Sequence, residues 1–358
     1  ERDQAAARGY DIGSVGAGCA DDHPVHSVSW YDVVKWCNLK SEIEGRTPVY
    51  TVSGNVYRAG QSIPAQNLAA DGYRLPLSRW ESQGNPRAVL LALHGLNDYR
   101  RAFDNLGRYL ARRDISVVAY DQRGFGATSG HGLWHGSQRL SADLVTMTAL
   151  LRHEYPGIPR YLLGESMGGA VALASLGSAS LDVAGTILVA PAVWSRDSMP
   201  FYQRAALWIA AHTLPARRLT GEGLDLKPSD NIDMLRALGR DALVIKATRV
   251  DVLYGVSNLM DTALLAAPDV HGSILLLYGQ HDDIIPSRPT CQLLEQLSNP
   301  AQTQLTAIVY ERGYHMLTRD LQAEVVLEDI AAWIGAYQAP QLTGRDLRLY
   351  CSRSGGGT

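Results

Sequence analysis

The chain has 358 residues, of which 46% are hydrophobic and 19% charged, a balance typical of packed domains and not of chains that stay unfolded. Its formal charge is -3, from 33 basic and 36 acidic residues, so no broad positive field exists and nucleic acid is not an expected partner. Apolar runs such as AALWIAA at 205–211 stop short of the roughly 18 to 20 residues that a membrane-spanning helix needs.

In chain order, residues 1–70 are polar and glycine-containing, with one helix predicted in SWYDVVKWCNLKSEIEG (29–45). Ser29 is placed to cap it, Asp32 occupies N3, and Trp30, Val33, Val34, Cys37 and Ile43 form its apolar face. The stretch TPVYTVSGNVYRAG reads as a hairpin around Ser53, Gly54 and Asn55. His23, His26 and Cys37 lack a fourth ligand at a suitable spacing, and the cluster Gly13, Gly16 and Gly18 has no strand before it. Neither a metal nor a dinucleotide cofactor is expected.

After residue 70 a regular alternation begins. Apolar runs at 88–94, 115–121, 160–166, 184–190, 273–279 and 305–311 alternate with helical patterns near 102–112, 138–153, 168–176, 288–297 and 321–338. Continuous apolar strands with helices between them predict an α/β fold, a mostly parallel sheet with helices on both faces. The alternation breaks between Pro191 and about Val270, where SMPFYQRAALWIAAHTL and VSNLMDTALLAA predict a helical insertion without a sheet strand. The tail from Pro340 to Thr358 is poor in apolar residues and is expected to be mobile. The cysteines Cys19, Cys37, Cys291 and Cys351 show no C-x-x-C spacing and are too few for a disulfide framework. ERDQAAARGYD has neither the basic nor the apolar region of a signal peptide, so a soluble protein, cytoplasmic by default, is expected.

The chemistry centres on Gly164-Glu165-Ser166-Met167-Gly168, set between an apolar strand and a helical pattern. G-x-S-x-G in that setting lifts a serine onto a sharp turn above the sheet, as a nucleophile requires. Its base and acid are expected from later strand ends in the order Ser, Asp, His. Asp282 follows SILLLYG with G-x-x-D spacing and is preferred to its neighbour Asp283; His315 follows LTAIVYE and is preferred to His281. His94-Gly95-Leu96 follows the first long strand, so the amides of Leu96 and Met167 are the expected oxyanion donors, with His94 structural.

Residues 68–338 resemble the monoacylglycerol lipase and lysophospholipase-like branch of the α/β-hydrolase superfamily, the serine aminopeptidase S33 type. The resemblance rests on ADGYRLPLSRW, LALHGLNDY, VVAYDQRGFGATSG, LLGESMGG, VIKATRVDVLYG, LLYGQHDDIIP and YHMLTRD, in that order. It implies Ser166 as nucleophile, Asp282 as acid, His315 as base, Leu96 and Met167 as oxyanion hole, and residues 191–270 as a lid. Asp121 then belongs to a structural DxRG segment. Residues 1–67, running into GYRLP, resemble an internal fragment of the formylglycine-generating sulfatase-modifying enzymes, without that domain's oxidation chemistry. The remainder, 339–358, is a C-terminal tail.

The expected activity is carboxylic ester hydrolysis through an acyl-enzyme, on a short- to medium-chain acyl ester or monoacylglycerol. Phe201, Trp208 and Ile209 on the insertion are the expected acyl-chain contacts. The alternatives are a peptidase or amidase anchored by Glu222, Asp225 or Asp230, and a non-catalytic binding protein.

Overall fold

The computed structural model describes residues 7–8, 10, 30–48, 51–52, 55–56, 71–179, 181–221, 223, 226–335 and 342–354. Ser29, His23, His26, Gly13, Gly16, Gly18, Ser53, Gly54, Glu222 and Asp225 lie outside them. The chain divides into two compact units, Glu1–Pro76 and Leu77–Thr358.

In the first unit, α1 (Trp30–Ile43) is followed by β1 (Thr51–Val52) and β2 (Asn55–Val56), an antiparallel pair. The buried stripe of α1 runs through Val34, Lys35, Asn38 and Leu39, while Cys37 is only partly buried and Trp36 is exposed. Of the expected apolar face, Val34 is buried, Cys37 is partly buried and Ile43 packs on the cluster around Leu39. Leu39 packs with Tyr10, Ile43 and Val56, and covering that small cluster takes precedence over burying every apolar residue of one helix.

The second unit is built on an eight-stranded sheet. Its strands are β3 (Leu77–Trp80), β4 (Ala88–Leu93), β5 (Ile115–Tyr120), β6 (Arg160–Glu165), β7 (Gly185–Val189), β10 (Gly272–Gly279), β11 (Thr303–Tyr310) and β12 (Arg345–Asp346). The spatial order is β12-β11-β10-β7-β6-β4-β5-β3, with the inner six parallel and the two edge strands antiparallel. Every residue of β4, β5 and β7 is buried, which explains why these segments read as unbroken apolar runs and not as alternating ones.

Helices cover both faces. On one side, α2 (Asp104–Ala111) and α9 (Ala323–Trp333) pack over Leu90, Val117, Leu163, Ile187, Leu275 and Ile308. On the other, α4 (Met167–Leu176) lies on β6, flanked by α3 (Ser137–Glu154) and by α7 (Val250–Ala266). α8 (Ser287–Leu297) connects β10 to β11. Each fully buried Leu, Ile or Val contributes about 1.5–3 kcal/mol relative to exposure.

The insertion holds α5 (Phe201–Thr213), β8 (Arg218–Thr220), α6 (Ile232–Arg240) and β9 (Ala247–Arg249), and it ends in α7. Among the described residues it adds no strand to the main sheet, but β8 and β9 form a small antiparallel pair of their own. Their sequences, RLT and ATR, are too short and polar to carry a strand signal. α7 is the apolar floor of the insertion, with Val250, Val252, Val256, Leu259 and Ala263 buried.

The expectation of a mobile tail is corrected over residues 342–354. β12 pairs with β11, α10 (Leu347–Ser354) packs on α8, and a disulfide joins Cys291 of α8 to Cys351 of α10. Leu347 is fully buried, so one well-placed side chain and a covalent link anchor a segment of low apolar content. No helix among the described residues is long and apolar enough to cross a membrane.

Candidate active site

The strand order reverses at β4. Chain direction takes β5 to one side of it and β6 to the other, a switch point of the kind beside which open α/β sheets bind ligands. Leu96 lies on the loop after β4 and Ser166 on the turn after β6.

Ser166 occupies the turn between β6 and α4 with φ 52° and ψ -115°. A non-glycine residue there costs on the order of 1–3 kcal/mol and persists only when its surroundings fix it. Here the fixing is by backbone: Ser166 N–H donates to Val189 O at 3.0 Å, and Ser166 O accepts from the amides of Gly169 (2.9 Å) and Ala192 (2.9 Å). The strand and helix meet closely at this elbow, since a Cβ on Gly164 would come within 2.5 Å of Gly168 O. The glycines of the motif are thus required by contact, and the serine is left buried at 8% exposure.

The loop after β4 runs directly against this turn, because a Cβ on Gly95 would meet Ser166 Cβ at 3.2 Å. Among the described residues, both the Leu96 and the Met167 amides are left without a protein acceptor on the two loops that meet at Ser166. The loop is gripped from the insertion: Asn97, at φ 65°, donates from Nδ2 to Thr248 Oγ1 (2.7 Å), and Asn97 O accepts from Ile245 N–H (2.9 Å). Tyr99 O–H donates to Asp241 Oδ2 at 2.5 Å, and burial together with this bond pushes the phenol up to about 12.

His94 is fully buried. Gln122 N–H donates to its Nε2 (2.9 Å), so Nδ1 carries the proton and donates to Gly95 O (2.8 Å). Both nitrogens are committed, and burial holds the imidazole below its ordinary range, which suits a structural tie between loops. Asp121 accepts from the amides of Arg100 (2.9 Å) and Ala127 (2.8 Å) and pairs with the Arg100 guanidinium. It shapes a turn, as a structural DxRG residue should.

The loops after β10 and β11 bring Asp282 to His315. Gln280 N–H donates to Tyr310 O and His281 N–H to Gly313 O, each at 2.9 Å, which sews the two loops together. Asp282 Oδ2 accepts from His315 Nδ1 at 2.8 Å, while its Oδ1 accepts the amides of Ile284 (2.8 Å) and Ile285 (2.9 Å). A carboxylate only accepts here, so Nδ1 of His315 bears the proton and Nε2 is the free basic nitrogen. Asp283 is exposed and accepts from Lys227 N–H (3.2 Å), and His281 is exposed beside the Tyr314 ring.

Sequence reasoning missed a buried charged cluster under these loops. Arg319 donates from Nη1 to Asp98 Oδ2 and from Nη2 to Glu165 Oε1, each at 2.7 Å, and Thr318 Oγ1 donates to Glu165 Oε2 at 3.0 Å. The signal was present: a glutamate ends the apolar run RYLLGE, and charges follow the apolar pair after His315.

Phe201, Trp208 and Ile209 are placed on α5 with 80%, 54% and 55% exposure. Phe201 and Trp208 border a surface depression of about 400 Å³ with Arg196, Arg204, Leu207 and Tyr254, and Ser166 does not line it.

Comparison with known proteins agrees with this architecture. The chain is 29% identical over 290 residues to a monoglyceride lipase of Rattus norvegicus, covering 77% of this chain and 93% of the relative. It is 23% identical over 280 residues to a monoacylglycerol lipase of Mycolicibacterium smegmatis, covering 74% and 93%. Among solved structures, a Saccharomyces cerevisiae monoglyceride lipase bound to a substrate analogue superposes with a TM-score of 0.63 at 20% identity, over 80% of this chain and 98% of that one. The Paleococcus ferrophilus monoacylglycerol lipase gives 0.61 at 22% identity, over 73% and 98%; both establish the fold. The family model described as serine aminopeptidase, S33, matches residues 84–322, well over half of the chain, and the protein belongs to that family of α/β hydrolases.

Proposed function

We propose that the protein is a serine carboxylic ester hydrolase of the monoacylglycerol lipase type, acting on short- to medium-chain acyl esters. The observation that carries this reading is the buried Asp282–His315 pair, with its imidazole orientation fixed, on a sheet edge that also presents a strained serine and two free amides. Ser166 Oγ attacks the ester carbonyl while His315 Nε2 takes its proton, and Asp282 stabilises the imidazolium. The Leu96 and Met167 amides hold the oxyanion. His315 then protonates the departing alcohol, and the same nitrogen activates the water that cleaves the acyl-enzyme. Each bond broken is matched by a proton that His315 returns.

The apolar residues of the insertion, Phe201, Trp208 and Ile209 among them, are assigned to the acyl chain on their apolar character and their exposure on α5, and the substrate panel below tests that assignment. Within the assignment, residues 68–338 are the hydrolase, with the lid at 191–270, and residues 1–67 are an accessory segment that supplies no reacting group. A peptidase needs a charge for its substrate's terminus. Asp230, the described member of the three carboxylates considered for that task, already accepts from Leu321 N–H at 2.9 Å. The Cys291–Cys351 bridge suits an oxidising compartment, where such bonds persist.

A matched substrate panel tests the reading. Each added buried CH₂ contributes roughly 0.8 kcal/mol, about fourfold in kcat/KM, until the pocket is filled. Butyryl to decanoyl esters and monoacylglycerols of similar length should therefore exceed acetyl esters, with an optimum. Outright preference for acetate overturns the acyl-chain assignment. Faster cleavage of a neutral aminoacyl amide than of every ester overturns the esterase reading.

A further inference from the structure

Arg319 lies four residues beyond His315, buried at 9% exposure, with its guanidinium between two carboxylates, one from the loop after β4 and one from the end of β6. Asp98 closes the turn that contains Leu96, since its own N–H donates to Gly95 O at 3.4 Å and its Oδ1 accepts Tyr99 N–H at 2.8 Å. Glu165 is the residue immediately before Ser166, and its second oxygen is held by Thr318, again on the His315 loop. The Nε of Arg319 is buried without an acceptor among the described residues. Burial lowers the proton affinity of the guanidinium, but the two carboxylates outweigh burial and raise it well above its ordinary range.

This grouping is a poor device for stability alone. One buried cation facing two buried carboxylates leaves desolvation incompletely offset, and apolar residues of similar volume would pack the same space at least as well. What such a group does supply is geometry: a planar fork whose two nitrogens must point at two fixed oxygens. The three chain segments it joins bear the Leu96 amide, Ser166 and His315.

We propose that Arg319 is a positioning residue that fixes the Leu96 amide, Ser166 and His315 relative to one another by bridging Asp98 and Glu165. The inference rests on the serine-hydrolase reading above but not on any particular substrate. Arg319 touches no reacting atom. It acts through the Glu165 backbone on the strained elbow, through Asp98 on the oxyanion turn, and through its own loop on the imidazole.

The test is the second-order rate at which an alkyl fluorophosphonate labels Ser166, measured on the full chain for Arg319→Lys and for Glu165→Gln, beside the unfolding midpoint of each. Lysine keeps the charge but cannot bridge both carboxylates with a planar fork, and a displacement of about 1 Å in an assembled site can cost 100-fold in rate. Arg319→Lys should therefore label about 100-fold more slowly with its midpoint within a few degrees of the parent, and ester turnover should show the loss in kcat with KM within threefold. Glu165→Gln, which keeps an oxygen acceptor, should lose about tenfold or less. Labelling of Arg319→Lys within threefold of the parent overturns the proposal, as does a loss that merely follows the unfolded fraction. Failure of both variants to fold also overturns it, assigning the cluster to stability. A parent that is labelled at Ser166 yet hydrolyses no ester contradicts the substrate reading, while the labelling ratios still decide the role of Arg319.

Discussion

His315 Nδ1 donates to Asp282 Oδ2 at 2.8 Å, and the other oxygen of the same carboxylate accepts two backbone amides, those of Ile284 and Ile285. The carboxylate is thus oriented from behind by its own loop before it orients the imidazole. Its neighbour Asp283 is exposed and accepts from Lys227 N–H at 3.2 Å.

These different environments predict different costs. Asp282→Asn should lower kcat by at least about 10³-fold, because an amide in that place no longer selects the productive imidazole tautomer. Asp283→Asn should remain within about threefold, as expected for an exposed position outside the hydrogen-bonded pair. Steady-state kinetics on a medium-chain ester separates them, and equal losses would contradict the assignment of the acid.

His94 predicts an acid-sensitive contribution to stability. Burial keeps its folded-state affinity for protons below that of the unfolded chain, whose imidazole titrates near 6.5. The unfolded state therefore binds more protons below that pH, and stability falls as the pH drops, by up to about 1.4 kcal/mol per pH unit for one proton. Above about pH 6.5 the contribution is fully present. Urea unfolding at pH 5 to 7.5 should show a steeper fall for the parent than for His94→Gln, although the variant is less stable at pH 7. Parallel curves would contradict this account.

The bridge between Cys291 and Cys351, 60 residues apart in sequence, constrains the unfolded chain. Loop-closure entropy for that separation gives about 4 kcal/mol at most, and measured bridges commonly contribute about 2–4 kcal/mol. Cys351→Ser should therefore lose roughly that much in denaturant unfolding and free α10 for proteolysis. Ester turnover at 25 °C should stay within twofold, because α10 carries none of the groups assigned to the chemistry. A turnover loss above tenfold would show that the tail supports the site.

The parts legible in the sequence share a physical property: they are continuous in the chain. The runs AVLLAL, ISVVAY and GTILV are buried on both faces, so hydrophobicity alone marks them. The serine elbow is legible for the same reason: its strained residue and the Gly164 to Gly168 approach lie within five consecutive residues, although Val189, Ala192 and Leu93 also hold it. Pairings across the chain are not local. Asp98, Glu165 and Arg319 come together only when two loops meet the end of β6, and Cys291 and Cys351 only when α10 lies on α8. Short polar edges such as β3 and β12 become strands because a neighbour offers free backbone groups, not because LSRW or RD favours extension.

The central claim is that one nucleophile, Ser166, carries the hydrolysis. The most direct measurement is kcat/KM for a butyryl to decanoyl ester with purified parent and with Ser166→Ala, the fold of each checked by its unfolding midpoint. The account predicts saturable turnover in the parent and a loss of at least about 10³-fold in the folded variant, as expected when one member of a concerted group is removed. Activity of folded Ser166→Ala within tenfold of the parent would contradict it.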